Sequence, residues 1–450
     1  MPASSTLSCA VALALAAASG AATAAQFDYS LFAGIEHSDN INLSTSNPIS
    51  QNVLIPGLNF TFVQQGSAVQ TNVSGTLQYK DYLGNAFDNQ TLVQLTGQAN
   101  WTVLPQRLDF TIQDFAGVEP LSTLSSDAPN NQQQTNVVML GPTLHFMLGD
   151  TLRGQAELRY INSDASKVKE FDSSRGEAAL RLFKDLGPND QLSFNLETQH
   201  ADFYNAPSDS DNNPDGVLNN PDFTRNELFG RYVSKLTHFN LDVALGWSQI
   251  DFKAAPTVST PMARVTLGWV ATPHSSFSVT AARQYSDAAL DMALQPGQTF
   301  IGNGVAPGST ASSISTGGAV IDPQVYLDQR LEGVYTLTTD RLTLTASPLY
   351  RKLDYLNDHS FDQTGHGGSG ALDYRLRESI TLSAYVNEET LNYRFLGRRD
   401  ESINYGISAT YTRTPHWSWR LSIDHRQLNS TASGAGYRAN EIYFGVVFRR

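Results

Sequence analysis

About twenty short stretches of this chain alternate apolar and polar residues. From Gln191 to Gln199, Leu192, Phe194 and Leu196 fall on one phase, and Ser193, Asn195, Glu197 and Gln199 on the other. Leu241, Val243, Leu245 and Trp247 alternate with Asn240, Asp242 and Ser248 in the same way. A period of two describes a strand with one apolar and one polar face. The segments between the strands are of two kinds, and the kinds take turns. Nine are tight and carry Gly, Pro, Asn, Asp or a neighbouring polar residue: 64–67, 104–106, 148–150, 186–190, 235–238, 272–274, 338–340, 376–378 and 414–416. These are hairpin connections. The others are long and polar, among them 38–51, 120–134, 205–223 and 287–323. Short turns at one end and long loops at the other are the pattern of outer-membrane barrels, with the turns in the periplasm and the loops outside. The pattern predicts an all-β chain: a single transmembrane antiparallel β-barrel of about 20 strands, with 18 as the alternative count.

Aromatic residues add two bands. Trp101, Trp269, Phe277, Tyr335, Trp417 and Trp419 lie near the tight turns. Tyr82, Tyr160, Tyr204, Phe252, Tyr285, Tyr355 and Tyr393 lie near the long loops. The expected reading is a pair of girdles at the two membrane interfaces.

Residues 1–25 hold no charged side chain, an apolar run from Ala10 to Ala18, and the small-x-small sequence Ala22-Thr23-Ala24. They read as a secretory signal peptide, although no Lys or Arg precedes the apolar run. The barrel is then 26–450, located in the outer membrane of a Gram-negative bacterium. The single cysteine, Cys9, falls in the leader, so the mature barrel has no disulfide. No stretch approaches the roughly 20 apolar residues of a membrane helix. The net charge of −13 and the lack of a basic patch argue against a nucleic-acid partner. The expected partners are outer-membrane lipid outside, polysaccharide or small solutes in the lumen, and periplasmic export proteins.

The polar phase of the strands carries charge in rows. Arg153, Glu157 and Arg159 form one, Glu177 and Arg181 a second, and Asp328, Arg330 and Glu332 a third. Asp373, Arg375 and Arg377 form a fourth, and Arg420, Asp424 and Arg426 a fifth. A lipid-facing Arg or Lys at mid-membrane costs about 2–4 kcal/mol, so these rows are assigned to the lumen. There they can offer hydrogen bonds to sugar hydroxyls, or pair across strands and hold the wall together.

One loop motif has metal-ligand spacing. In residues 211–222, Asp211, Asn213 and Asp215 occupy positions one, three and five, Gly216 position six and Asp222 position twelve. This resembles the twelve-residue calcium loop, in which hard oxygens wrap one ion. Asp stands where that loop has Glu, Pro221 precedes it, and a solvated Asp/Asn-rich outer loop has the same composition. Calcium is thus a candidate ligand, and no other cofactor is expected. The sequence has no phosphate loop, dinucleotide fingerprint, Cys/His metal pattern or close Ser/His/Asp set, and it reads as a non-enzyme. The Gly/Ser/Thr-rich run 296–319 is read in two ways: folded inward, where it narrows the lumen, or mobile outside.

The first strand and loop read Phe32-Ala33-Gly34-Ile35-Glu36-His37-Ser38-Asp39-Asn40-Ile41-Asn42-Leu43. Then come Leu54-Ile55-Pro56-Gly57-Leu58-Asn59-Phe60 and Leu77-Gln78-Tyr79-Lys80-Asp81-Tyr82. This order of an S-D-N-hydrophobic loop, a P-G-hydrophobic strand and a Tyr-rich third strand resembles the beta-barrel porins associated with exopolysaccharide and PEP-CTERM/exosortase gene clusters. The resemblance implies an outer-membrane barrel serving exopolysaccharide export, and no catalytic residues. A general diffusion porin and a structural or adhesive surface barrel without transport are the alternatives.

Overall fold

The computed structural model describes residues 25–205, 220–294 and 319–450. Residues 1–24 of the expected leader, 211–219 of the candidate calcium loop and 296–318 of the Gly/Ser/Thr-rich run lie outside the described residues.

The alternating segments form twenty strands: β1 (Ala25–Ser38), β2 (Gln51–Gln65), β3 (Val69–Tyr82), β4 (Gln90–Leu104), β5 (Leu108–Pro120), β6 (Gln132–Met147), β7 (Leu152–Ala165), β8 (Ser173–Asp185), β9 (Asp190–Phe203), β10 (Phe223–Lys235), β11 (Phe239–Phe252), β12 (Val258–Thr272), β13 (Ser275–Asp287), β14 (Val325–Thr338), β15 (Leu342–Tyr355), β16 (Gln363–Arg377), β17 (Ile380–Tyr393), β18 (Arg398–Thr412), β19 (Trp417–Ser430) and β20 (Tyr437–Arg449). Each pairs antiparallel with the next. β1 pairs with β20 from Ser30↔Arg449 to Ser38↔Glu441, so the sheet closes and has no free edge. A closed barrel satisfies every backbone group internally, which a membrane demands. Among the described residues no helix is long and apolar enough to span one. All nine tight segments join an even-numbered strand to the next odd-numbered one.

The apolar phase faces out. Leu192, Phe194 and Leu196 on β9 and Leu245 and Trp247 on β11 are all about half exposed. The ring of aromatics beside the turns is also outward, and Phe239, Trp269, Phe277 and Tyr335 stack in series across four strands at 5.8, 5.5 and 4.6 Å between ring centres. The second aromatic band is a correction to the sequence reading. Tyr160 and Tyr204 are exposed on the outside, but Tyr82, Tyr285, Tyr355 and Tyr393 are buried and Phe252 packs beside a buried cluster. Tyr82, Tyr355 and Tyr393 are covered by inward-folded connections through Ile41, Val320 and Thr123, whereas Tyr285 and Phe252 pack against Phe223, Ile250 and Val325 of neighbouring strands.

Closure at the β1–β20 seam depends on glycine. Gly34 lies opposite Gly445, and the Tyr443 ring covers both, so a Cβ at position 34 falls inside that ring. Gly34→Val is therefore expected to weaken closure, seen as loss of the compact, heat-modifiable band of the folded barrel on cold gel electrophoresis. Tyr443→Ala in the same background, by vacating the space, is expected to restore part of it. A Gly34→Val barrel as heat-resistant as the native one would show that the ring is free to move aside.

Candidate functional site

The charged rows point inward, on the phase opposite the exposed leucines, and they join across strands. Arg181 donates to Glu157 at 2.5 Å and to Glu197 at 2.9 Å, and Arg159 lies 3.4 Å from Glu157. Glu177 accepts from Gln199 at 3.2 Å. Arg153 pairs with Asp185 at 2.8 Å. Asp328 binds Arg330 and, at 2.9 Å, Arg351, and Glu332 continues that inner row toward the turns. Asp373 accepts from Ser383 at 2.5 Å, with Arg375 and Arg377 beyond it at a register irregularity. Asp424 accepts from the Tyr385 hydroxyl at 2.7 Å. Arg426 lies 3.8 Å from Glu441.

These pairs grade from wet to dry. Near the turns, Arg153 and Asp185 are 46% and 37% exposed, and Arg231 and Asp242 47% and 35%. Near the loops, Arg175 and Asp287 are 2% and 3% exposed, and Arg351 and Asp328 6% and 0%. The lower lumen is thus a hydrated vestibule. Beside residues 287–294 the upper lumen is packed, and its ion pairs are desolvated.

Among the described residues, three connections supply much of the packing. After β1, Asn40 turns inward: its side chain donates to the Ser44 and Arg438 carbonyls, both at 2.8 Å, and places Ile41 and Leu43 in the interior. The S-D-N-hydrophobic sequence is therefore a clamp across the β1–β20 seam, since Asp39 also accepts from the Asn440 backbone at 2.8 Å. After β5, residues 121–131 cross to the far wall. Arg398 donates to the Leu124 carbonyl at 2.7 Å, Tyr393 to that of Thr123 at 3.4 Å, and Ala128 packs on Leu43. After β13 the chain forms helix α1 (Ala288–Leu294) inside the barrel, with Ala288, Ala289 and Met292 against Val137, Ile161 and Phe171. Asp287 caps it by accepting from the Ala289 and Leu290 amides, and pairs with Arg175 of β8. Asp291 binds Arg351 of β15 and accepts from Ser286 at 2.6 Å. Nothing in the sequence links Arg175 to Asp287, 112 residues apart.

The return from the loop, residues 319–324, is held by Val320 donating to the Tyr355 hydroxyl at 3.0 Å. Here Asp322 accepts from the Gln324 amide and side chain at 3.1 and 2.8 Å, with Asp358 close by. Burial pushes its carboxyl up to about 7, against the ordinary 3.8. A raised folded-state value means that the folded state holds the proton more tightly. The contribution is complete below the unfolded value and is lost as pH rises through 7. Amide exchange of 319–324, corrected for intrinsic rates, is expected to be slowest near pH 4 and to quicken toward pH 8, and Asp322→Asn should flatten the profile. Native protection that grows with pH would contradict the assignment.

Of the calcium candidates, Asp211, Asn213 and Asp215 lie outside the described residues. Asp222 is buried at the loop base, where it accepts from the Phe203 amide at 2.9 Å and lies 3.3 Å from Lys253 Nζ. Among the described residues no three His, Cys, Asp or Glu are arranged to hold a metal ion. One charged residue the sequence reading missed is Asp114. Its register partners Gly97 and Val138 put it on the outer phase, yet it is fully buried, accepting from Asn136 at 2.6 Å.

No curated protein sequence matches this chain. Among solved structures, the chain is similar to the ferric enterobactin receptor PfeA of Pseudomonas aeruginosa in complex with BCV-L6, with 11% identity and a TM-score of 0.49 over 95% of this chain and 82% of that one. It is also similar to the FrpB iron transporter of Neisseria meningitidis (F3-3 variant), with 11% identity and a TM-score of 0.48 over 97% and 83%. Residues 366–450, which run from within β16 to the end of β20, match the protein family described as "Putative beta-barrel porin 2".

Proposed function

We propose that the protein is a passive outer-membrane channel, narrowed at its outer end by its own loops, and that its cargo is a hydroxyl-rich polymer, an exopolysaccharide. The observation that carries the reading is the wet half of the lumen. Arg153–Asp185 and Arg231–Asp242 line a wall where charged donors and acceptors stay in contact with water, and the more buried Glu157–Arg181–Glu197 cluster continues it upward. Such a wall exchanges hydrogen bonds with sugar hydroxyls at little net cost, because each bond to sugar replaces one to water. Sixteen- to eighteen-stranded barrels already leave an aqueous channel, and twenty strands enclose more. The resemblance of residues 32–82 to porins of exopolysaccharide gene clusters supports the choice of cargo. Periplasmic export proteins would deliver the polymer to the turn side.

Planar-bilayer recording of the detergent-folded barrel tests the channel, and surface polysaccharide on a deletion strain tests the cargo. Open-channel current with lost surface polysaccharide is expected. Normal polysaccharide with impaired small-solute uptake turns the reading to a diffusion porin. A barrel that never conducts, even with 121–131 and 288–324 trimmed to turns, is a structural one.

A further inference from the structure

Under the 121–131 crossing lies an open cavity of about 240 Å³, walled by β1–β5 on one side and by β17, β19 and β20 on the other. Its charge is one-sided. Glu36, Glu119, Asp127, Glu389 and Glu441 line it, against Lys80 and Arg426. Arg426 is already shared between Glu441 and Asp127, at 3.8 and 4.0 Å. Glu36 is 3% exposed, and no hydrogen bond or ion pair from a described residue reaches its carboxylate; Lys80 and Arg426 act on it only at longer range. Gln78, on the neighbouring inner face of β3, is an independent sign of a missing partner. It is 6% exposed, lines the same space, and its amide bonds to no described residue. A buried amide and a buried carboxylate with nothing to bind are costly unless a ligand or water takes the place. The aromatic bodies of Tyr82 and Tyr393 close two sides.

We propose that this chamber binds a solute that carries an ammonium group among hydroxyls, that is, an amino-sugar unit with a free amine. The inference rests on the polysaccharide reading above and narrows it to a cationic polymer. The ammonium meets the acidic wall centred on Glu36 and Glu441. Gln78 offers one acceptor and two donors to the adjoining hydroxyls, and the tyrosine faces suit both a sugar ring and a cation. A neutral sugar gains only the Gln78 and tyrosine contacts. An anionic sugar is repelled.

The test uses the folded full barrel in a planar bilayer, with glucosamine trisaccharide as the probe and its fully N-acetylated form as the comparison. The amine form is expected to interrupt the current at concentrations at least tenfold lower than the acetylated form. Glu36→Gln should remove most of that difference, and Gln78→Leu should weaken both sugars alike. Reversal potentials in a salt gradient should show cation preference, reduced in Glu36→Gln. Equal block by the two sugars in a conducting barrel overturns the amino-sugar site and leaves the channel reading in place. Anion preference does the same. Absence of current in every variant, including a barrel with 121–131 trimmed to a turn, overturns the channel itself. Isothermal titration calorimetry of the detergent-folded protein with the same two sugars then decides the chamber separately: selective binding of the amine form upholds it, and no selectivity overturns it.

Discussion

Arg351→Met is expected to unlatch α1 from the inside of the barrel and to raise single-channel conductance severalfold. Arg351 is the hub of the dry upper lumen. Its Nε donates to Asp328 at 2.9 Å, and its guanidinium also binds Asp291 on α1. Arg330 binds Asp328 and lies 3.9 Å from Asp291, so it cannot replace Arg351 without giving up geometry. Removing one member of a buried ion network leaves uncompensated charge, at a cost of about 3–5 kcal/mol. The wall and the helix are unequal in how they can relieve it. Asp328 is fixed in a twenty-strand ladder. Asp291 sits on a seven-residue helix, and a helix that short has little stability of its own. The cheaper response is for α1 to leave and let Asp291 hydrate. Asp291→Asn should act in the same direction but less, since Arg351 keeps Asp328. Conductance recorded on barrels that retain heat-modifiable mobility is the measurement. Unchanged conductance in a folded Arg351→Met barrel would show that α1 does not obstruct the path.

The wall was legible in the sequence because every strand repeats the same contrast between hydrocarbon and water. Leu192-Ser193-Phe194-Asn195-Leu196 states its two faces without reference to any other segment, and the nine tight turns punctuate the chain by local chemistry alone. The direction of the loops was not legible in the same way, because it depends on pairs such as Arg175 with Asp287 and Arg398 with Leu124 that are far apart in the chain. A signal was nevertheless present. Near the loops the inward phase itself turns apolar: Val53 and Ile55 on β2, Leu353 and Tyr355 on β15, Leu391 and Tyr393 on β17. Apolar residues on a lumen-facing phase need a cover, and the inward loops supply it. Reading Tyr82, Tyr355 and Tyr393 as girdle residues took their position along the strand and ignored their phase. Asp114 marks the opposite limit, since its concealment on the outer phase comes from neighbours on other strands, including Asn136.

The phase of the wall can be tested by moving one charge between its two faces. Leu196 is half exposed on the outer face of β9, in register with Leu180 and Leu228, which are 43% and 45% exposed. Leu196→Arg therefore places a guanidinium in an apolar row. The expected cost is about 2–4 kcal/mol, the range for a lipid-facing Arg near the bilayer midplane. Gln98, on β4, is exposed on the inner face between Asn72 and Gln113 in register. Gln98→Arg adds the same group to a polar, hydrated row, where the side chain keeps its water and neighbouring amide oxygens accept from it, so its stability should remain within about 0.5 kcal/mol of native, as for an ordinary surface substitution. Equilibrium unfolding in lipid vesicles, followed by tryptophan fluorescence, gives both numbers under one condition. A silent Leu196→Arg, or a Gln98→Arg as damaging as it, would mean that the leucine face does not meet hydrocarbon. The channel reading would fall with it, because a lumen exists only if the other face is the inside.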